Sequence, residues 1–163
     1  MGNARELFIT GLQNAHAMES QAQEILERQI ERMDKYPDMR ARLQEHLSET
    51  KAQMQRLESC LSDLDSSPST MKDTALAFGA NMAAMGHAMA KDEVLKNAFA
   101  NNALENYEIA AYKSLLTMCE QAGISAKGVL QQSLREEERM ADWVANNVEK
   151  VTRDYMMKEE AVA

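Results

Sequence analysis

The chain has 163 residues, with 18 Lys and Arg against 26 Asp and Glu for a formal net charge of −8, two cysteines and 45% hydrophobic residues, a size that fits one compact domain. So acidic a chain, with no run of Lys or Arg to form a basic stripe, repels phosphate backbones and argues against a nucleic-acid partner. No apolar run approaches the ~18 residues of a membrane span, and Met1-Gly2-Asn3-Ala4-Arg5-Glu6 lacks the pattern of a signal peptide, so the expectation is a cytoplasmic protein with no membrane partner.

Ala, Met, Leu, Glu and Gln dominate, while Pro occurs twice and Gly six times, which predicts an all-α fold. The strong interruptions are Pro37, Ser66-Ser67-Pro68-Ser69 and Gly123. A first helix is predicted over about 3–34, with the apolar path Ile9, Leu12, Ala22, Leu26, Ile30, Met33. A second, over about 38–65, has Asp38 as a candidate cap and Leu43, Leu57, Leu61 and Leu64 as its stripe. A short third helix, over about 70–89, is rich in Ala and Gly; it reads as a packed crossover or as a subunit interface using Met82, Met85 and Met89, and His87 on it reads as structural. The fourth, over about 92–121, carries Ala98, Tyr112, Leu115 and Cys119 on one face, and Gly123 is placed to end it in a left-handed conformation. The fifth, over about 125–150, follows Leu130, Leu134, Ala141, Val144, Val148 and Val151, with Ser125 as N-cap and fraying expected from about Asp154. Residues 1–163 thus read as a single domain, two antiparallel hairpins joined by a crossover with an additional short helix, the connectivity of ferritin-like four-helix bundles. Cys60 and Cys119 fall inside helical patterns and read as buried thiols, and Trp143 reads as a packing anchor.

Each long helix breaks its apolar path near the middle with a carboxylate: Glu19, Glu49, Glu108 and Glu137. In antiparallel hairpins these positions lie level, so four acidic groups are expected to meet in one layer of the core. A buried, ionised, unpaired carboxylate costs several kcal/mol, so the layer calls for protonation, for Arg or Lys, or for bound divalent cations. His46 lies three residues before Glu49, His16 three before Glu19 and Glu105 three before Glu108, each pair on one helical face. Gln53 and Tyr112, with His16, are candidates to orient the carboxylates by hydrogen bonds. Glu136 and Glu137 are candidate metal ligands, though Glu137 sits inside the run Glu136-Glu137-Glu138, which also reads as a solvated face. An oxygen-rich, nitrogen-poor set suits iron or manganese, with zinc as a further occupant. No Gly-x-Ser-x-Gly, phosphate-binding glycine loop or Cys-x-x-Cys is present.

Three stretches, His46-Leu47-Ser48-Glu49-Thr50-Lys51-Ala52-Gln53, Glu105-Asn106-Tyr107-Glu108-Ile109-Ala110-Ala111-Tyr112, and Leu134-Arg135-Glu136-Glu137 with Met140-Ala141-Asp142-Trp143, resemble the YciE/YciF family of bacterial stress-response proteins. Glu6-Leu7-Phe8-Ile9 followed by Glu19 fits the same pattern. The resemblance spans nearly the whole chain and implies a ferritin-like bundle, homodimerisation, a di-iron site related to that of rubrerythrin and a role in stress response. Carried over by matching position, its site comprises Glu19, His46, Glu49, Gln53, Glu105, Glu108, Glu136 and Glu137. The chain departs from the Glu-x-x-His order common in such bundles: it has His46-x-x-Glu49 on one helix and no histidine on the last.

The leading functional expectation is a di-metal carboxylate protein, with two metal ions, iron first, and Fe(II), oxygen or peroxide as substrates of a ferroxidase or peroxide-scavenging activity. Glu19 and Glu108 would be terminal ligands, Glu49 and Glu137 would bridge, and His46 would add nitrogen. The alternative is a non-enzymatic, dimeric stress-response scaffold whose acidic layer is vestigial or paired with Arg.

Overall fold

In the computed structural model of the chain, residues 2–68 and 92–160 are described. Four helices cover them: α1 (Gly2–Ile30), α2 (Pro37–Ser62), α3 (Glu93–Ala122) and α4 (Lys127–Glu160). The small-residue helix expected over about 70–89, with Met82, Met85, His87 and Met89, lies outside the described residues.

Cross-helix contacts fix the directions. Arg5 donates to the Leu64 carbonyl, His16 pairs with Glu58 and Lys51 with Glu27, so α1 and α2 run antiparallel. Gln29 bonds Asn101 and Tyr112 bonds Glu19, which sets α3 antiparallel to α1. Arg56 meets Glu136 and Lys150 meets Asp38, which does the same for α2 and α4. Every packed neighbour is therefore antiparallel, while α2 and α3 run parallel, the arrangement that a crossover connectivity produces. The α2–α4 seam is the most loosely packed of the four.

Several helix ends differ from expectation. The helix α2 starts at Pro37, with Tyr36 as N-cap and no side-chain cap bond, so Asp38 sits in the first turn instead of capping it. A proline at the first helical position supplies a preset φ and needs no donor there. The helix α4 begins at Lys127, which leaves Ser125 one residue short of the capping position. It continues to Glu160 because Val151 is buried and Tyr155 packs on the core at that end. Gly123 closes α3 at φ 66°, ψ 30°, with its N–H and that of Ile124 returning to the Glu120 and Cys119 carbonyls.

The core is divided. One apolar cluster holds Phe8, Leu12, Met18, Leu57, Leu61, Tyr112, Leu115 and Leu130, and a second, at the other end, holds Leu26, Met33, Leu43, Val94, Met140 and Val144. Trp143 packs against the second cluster, and Cys60 and Cys119 are buried free thiols. Phe8, Met18 and Met140 are buried although the apolar paths read from the sequence omit them. Between the clusters lies a polar layer of Glu19, His46, Thr50, Gln53, Asn101, Glu105, Glu108, Ser133, Glu136 and Glu137. At its edge Gln29 and Asn101 exchange two hydrogen bonds of 3.0 Å, each amide satisfying the other.

Candidate metal centre

The polar layer is built at mid-helix because each of the four helices turns one acidic or imidazole-bearing face inward between its apolar ends. Glu19 on α1, His46 on α2, Glu105 and Glu108 on α3 and Glu137 on α4 are all at most 1% exposed. His46, Glu105, Glu108 and Glu137 each bring a ligand-type atom within 4.8 Å of the others. The imidazole Nε2 lies 3.2 Å from Glu105 Oε2 and 3.5 Å from Glu137 Oε2. Glu19 borders the group and accepts a 2.6 Å hydrogen bond from the Tyr112 hydroxyl. Gln53 donates to Glu136 Oε2 at 3.0 Å and also to Glu137 Oε1.

The acidic run on α4 divides as helix geometry requires, at about 100° per residue. Glu137 points to the centre, while Glu136 faces the α2–α4 seam, where the Arg56 guanidinium grips it at 2.7 and 2.9 Å. Glu138 is partly exposed, 3.6 Å from Lys113. Glu136 therefore has its own countercharge. Glu49 also departs from the bridging position expected of it. The helix presents Thr50 inward, 1% exposed, and Glu49 lies behind the imidazole, 3.0 Å from His46 Nδ1, 3.0 Å from Arg139 and 3.5 Å from Arg42. His16 is not in the layer. Its ring lies at the α1–α2 boundary, 2.9 Å from Glu58.

Burial dominates the proton affinities. It pushes the Glu19 carboxyl up to about 8 against the lowering effect of the Tyr112 hydrogen bond. Burial and the neighbouring carboxylates raise Glu108 and Glu137 well above the usual range, and burial beside Glu19 raises the Tyr112 phenol. Burial opposes a charged His46, but the Glu105, Glu49 and Glu137 carboxylates around it together outweigh that and raise its pKa. Glu49, desolvated yet bonded by His46 and Arg139 and near Arg42, is lowered to about 2.

The layer is short of positive charge and of donors. Oε2 of Glu19, Oε1 of Glu108 and Oε1 of Gln53 are buried without a hydrogen-bond partner among the described residues, while Oε2 of Glu105 and of Glu137 share the single His46 Nε2 at 3.2 and 3.5 Å. Buried polar atoms in folded proteins are nearly always satisfied, so a group of orphaned acceptors converging on one imidazole nitrogen fits a cation. His46, Glu105, Glu108 and Glu137 could hold a metal ion, with Glu19 beside them. Hard carboxylate oxygens with a single imidazole match iron or manganese better than a soft-metal set.

The three arginines that compensate the outer acids were not singled out by sequence reading, nor was the Gln29–Asn101 pair. Arg56 lies one turn beyond Gln53 and Arg139 two residues after Glu137, and such spacings alone do not tell an inward from an outward guanidinium.

The comparisons with known proteins agree with this architecture. A family model described as "Domain of unknown function (DUF892)" matches residues 3–157. A solved protein from Xanthomonas campestris pv. campestris is 28% identical, covering 96% of this chain and 99% of its own, with a TM-score of 0.83. YcfI from Rhodopseudomonas palustris is 24% identical over 87% of this chain and 92% of its own, at 0.75. The E. coli stress protein YciF is 21% identical over 94% and 99%, at 0.79. The fold is the all-α, ferritin-like four-helix bundle.

Proposed function

Because the chain belongs to the family described as "Domain of unknown function (DUF892)", we propose that it is a bacterial stress-response protein whose polar layer binds two metal ions, iron first and manganese or zinc as substitutes, through Glu19, His46, Glu105, Glu108 and Glu137. The observation that carries this reading is the buried set of carboxylate oxygens that converges on His46 Nε2, all with ligand-type atoms within 4.8 Å of one another and with no arginine among them. The stress-response part rests on likeness to YciF, named a stress protein.

Iron held there would supply one-electron chemistry toward oxygen or peroxide, the basis of a ferroxidase or scavenging activity. The chain's own residues do the rest. Tyr112 fixes the Glu19 carboxylate through its hydroxyl and Gln53 fixes Glu137 through its amide, so the acceptors are held in place before any cation arrives. The two apolar clusters exclude water from both ends of the layer. Glu49 and Glu136, neutralised by Arg139 and Arg56, stand outside the proposed ligand set.

A second reading is favoured by the nitrogen shortage: His46 is the one histidine in the layer among the described residues. On that reading the carboxyls stay protonated and the bundle is a non-enzymatic scaffold. Anaerobic titration with Fe(II), followed by metal analysis after desalting, separates the two. Two ions per chain are expected for the wild type and fewer than one for a Glu105→Ala/Glu108→Ala variant. Equal sub-stoichiometric metal in both proteins would overturn metal binding. Tight uptake without accelerated Fe(II) oxidation in air would remove only the oxidase activity.

A further inference from the structure

Building on the metal-binding reading, we infer that Glu49 is a positioning residue: it holds the His46 ring so that Nε2 presents its lone pair to the centre, and it is itself latched across the α2–α4 seam by Arg139. The two ring nitrogens face opposite surroundings. Nε2 looks at the Glu105 and Glu137 carboxylates, at 3.2 and 3.5 Å, whereas Nδ1 lies 3.0 Å from Glu49 Oε2. An imidazole that accepts a cation at Nε2 must carry its ring proton at Nδ1, and the group that accepts that proton's hydrogen bond fixes both tautomer and ring rotation. Glu49 is the group in that place. Because it touches the nitrogen on the far side of the ring, it cannot share a cation with Nε2.

The anchoring of Glu49 supports the same role. Its Oε1 accepts from Arg139 Nη2 at 3.0 Å, from α4, and its Oε2 lies 3.5 Å from Arg42 Nη1, about two helix turns away on α2. Two guanidiniums hold the carboxylate facing the ring. Arg139 thereby ties the imidazole of α2 to the helix that supplies Glu137, across the seam where these helices pack most loosely. Outer groups that hold a ligating imidazole in this way typically contribute 10- to 100-fold to metal affinity.

The test uses Co(II) as the probe in the full-length protein. Titrations followed by visible absorption give affinity, and proton NMR of the Co(II)-loaded protein gives the hyperfine-shifted, exchangeable N–H of a bound imidazole. The wild type is expected to bind Co(II) and to show one such N–H, slow to exchange because Glu49 covers it. Glu49→Ala is expected to lose roughly 10- to 100-fold in affinity and to exchange that proton too fast to see. Glu49→Gln, which keeps an acceptor oxygen, should retain the resonance and lose less than the alanine variant. If Glu49→Ala does not fold, Glu49→Gln decides alone: a loss as large as that of Glu105→Ala would make Glu49 a direct ligand and overturn the inference. Unchanged affinity and an unchanged N–H in Glu49→Ala would overturn it while leaving metal binding intact. A wild type that takes up no Co(II) would overturn both.

Discussion

At the scale of single residues, the centre is a set of protons waiting to be displaced. The Glu19 carboxyl is pushed up to about 8 by burial, and Glu108 and Glu137 are raised as well. The native chain therefore holds protons that the unfolded chain, with glutamates near their usual pKa, gives up above about pH 4.5. Stability from these groups is fully present below that value and is lost as pH rises through their raised folded values, about 8 for Glu19. His46, whose pKa is raised, works in the same direction: its contribution is present below the unfolded value of about 6.5 and is lost as pH climbs through the folded one. Glu49, lowered to about 2, contributes above its unfolded pKa and loses its contribution only on acidification. The metal-free protein should thus melt progressively earlier from pH 5 to pH 8, each displaced proton costing up to about 1.4 kcal/mol per pH unit. With saturating Mn(II) the trend should flatten or reverse, because cations bind the deprotonated ligands. Calorimetry across this range checks it, and a melting temperature independent of pH without metal would contradict the burial of these acids. The sequence made Glu19, Glu105, Glu108 and Glu137 legible because each occupies a slot that apolar periodicity reserves for the core. It could not place Glu49, because at that position Glu49 and Thr50 compete for one inward slot and the choice depends on a small rotation of α2.

At the scale of helices, the sequence revealed where the long helices lie more faithfully than how they end. Gly123 was legible because glycine adopts φ near +66° at the least steric cost, and it does so there. The start of α2 was not, since Asp38 is a good capping residue in the abstract, but Pro37 ahead of it already satisfies the first helical position. The reach of α4 to Glu160 depends on Val151 and Tyr155 finding the second cluster, a tertiary contact that helix propensity does not encode. Two glycines separate backbone strain from packing. Neither Gly123 nor Gly128 has an atom within 4 Å of a built Cβ, yet only Gly123 has a positive φ. Gly123→Ala should destabilise the protein by about 1 kcal/mol. Gly128→Ala, in the first turns of α4, should stabilise it by about 0.5 kcal/mol. Urea midpoints compare the two, and equal shifts would remove the left-handed cap from the account.

At the scale of the whole molecule, the resemblance to the YciE/YciF family is borne out by the family match and by the shared fold. No described helix is long and apolar enough to cross a membrane. We also propose the homodimer that the resemblance implies. Light scattering at micromolar concentration should give the mass of two chains; the mass of one would exclude the dimer.

The Gln29–Asn101 pair has a bearing on metal geometry although it touches none of the acids. Sliding α1 past α3 by one turn, about 5.4 Å, would strand both amides in the dry interior at a cost of about 1–3 kcal/mol each. The pair works like a dowel between two planks. It keeps Glu19 level with Glu105 and Glu108, so that the bundle can breathe at its ends without its central acids drifting out of line.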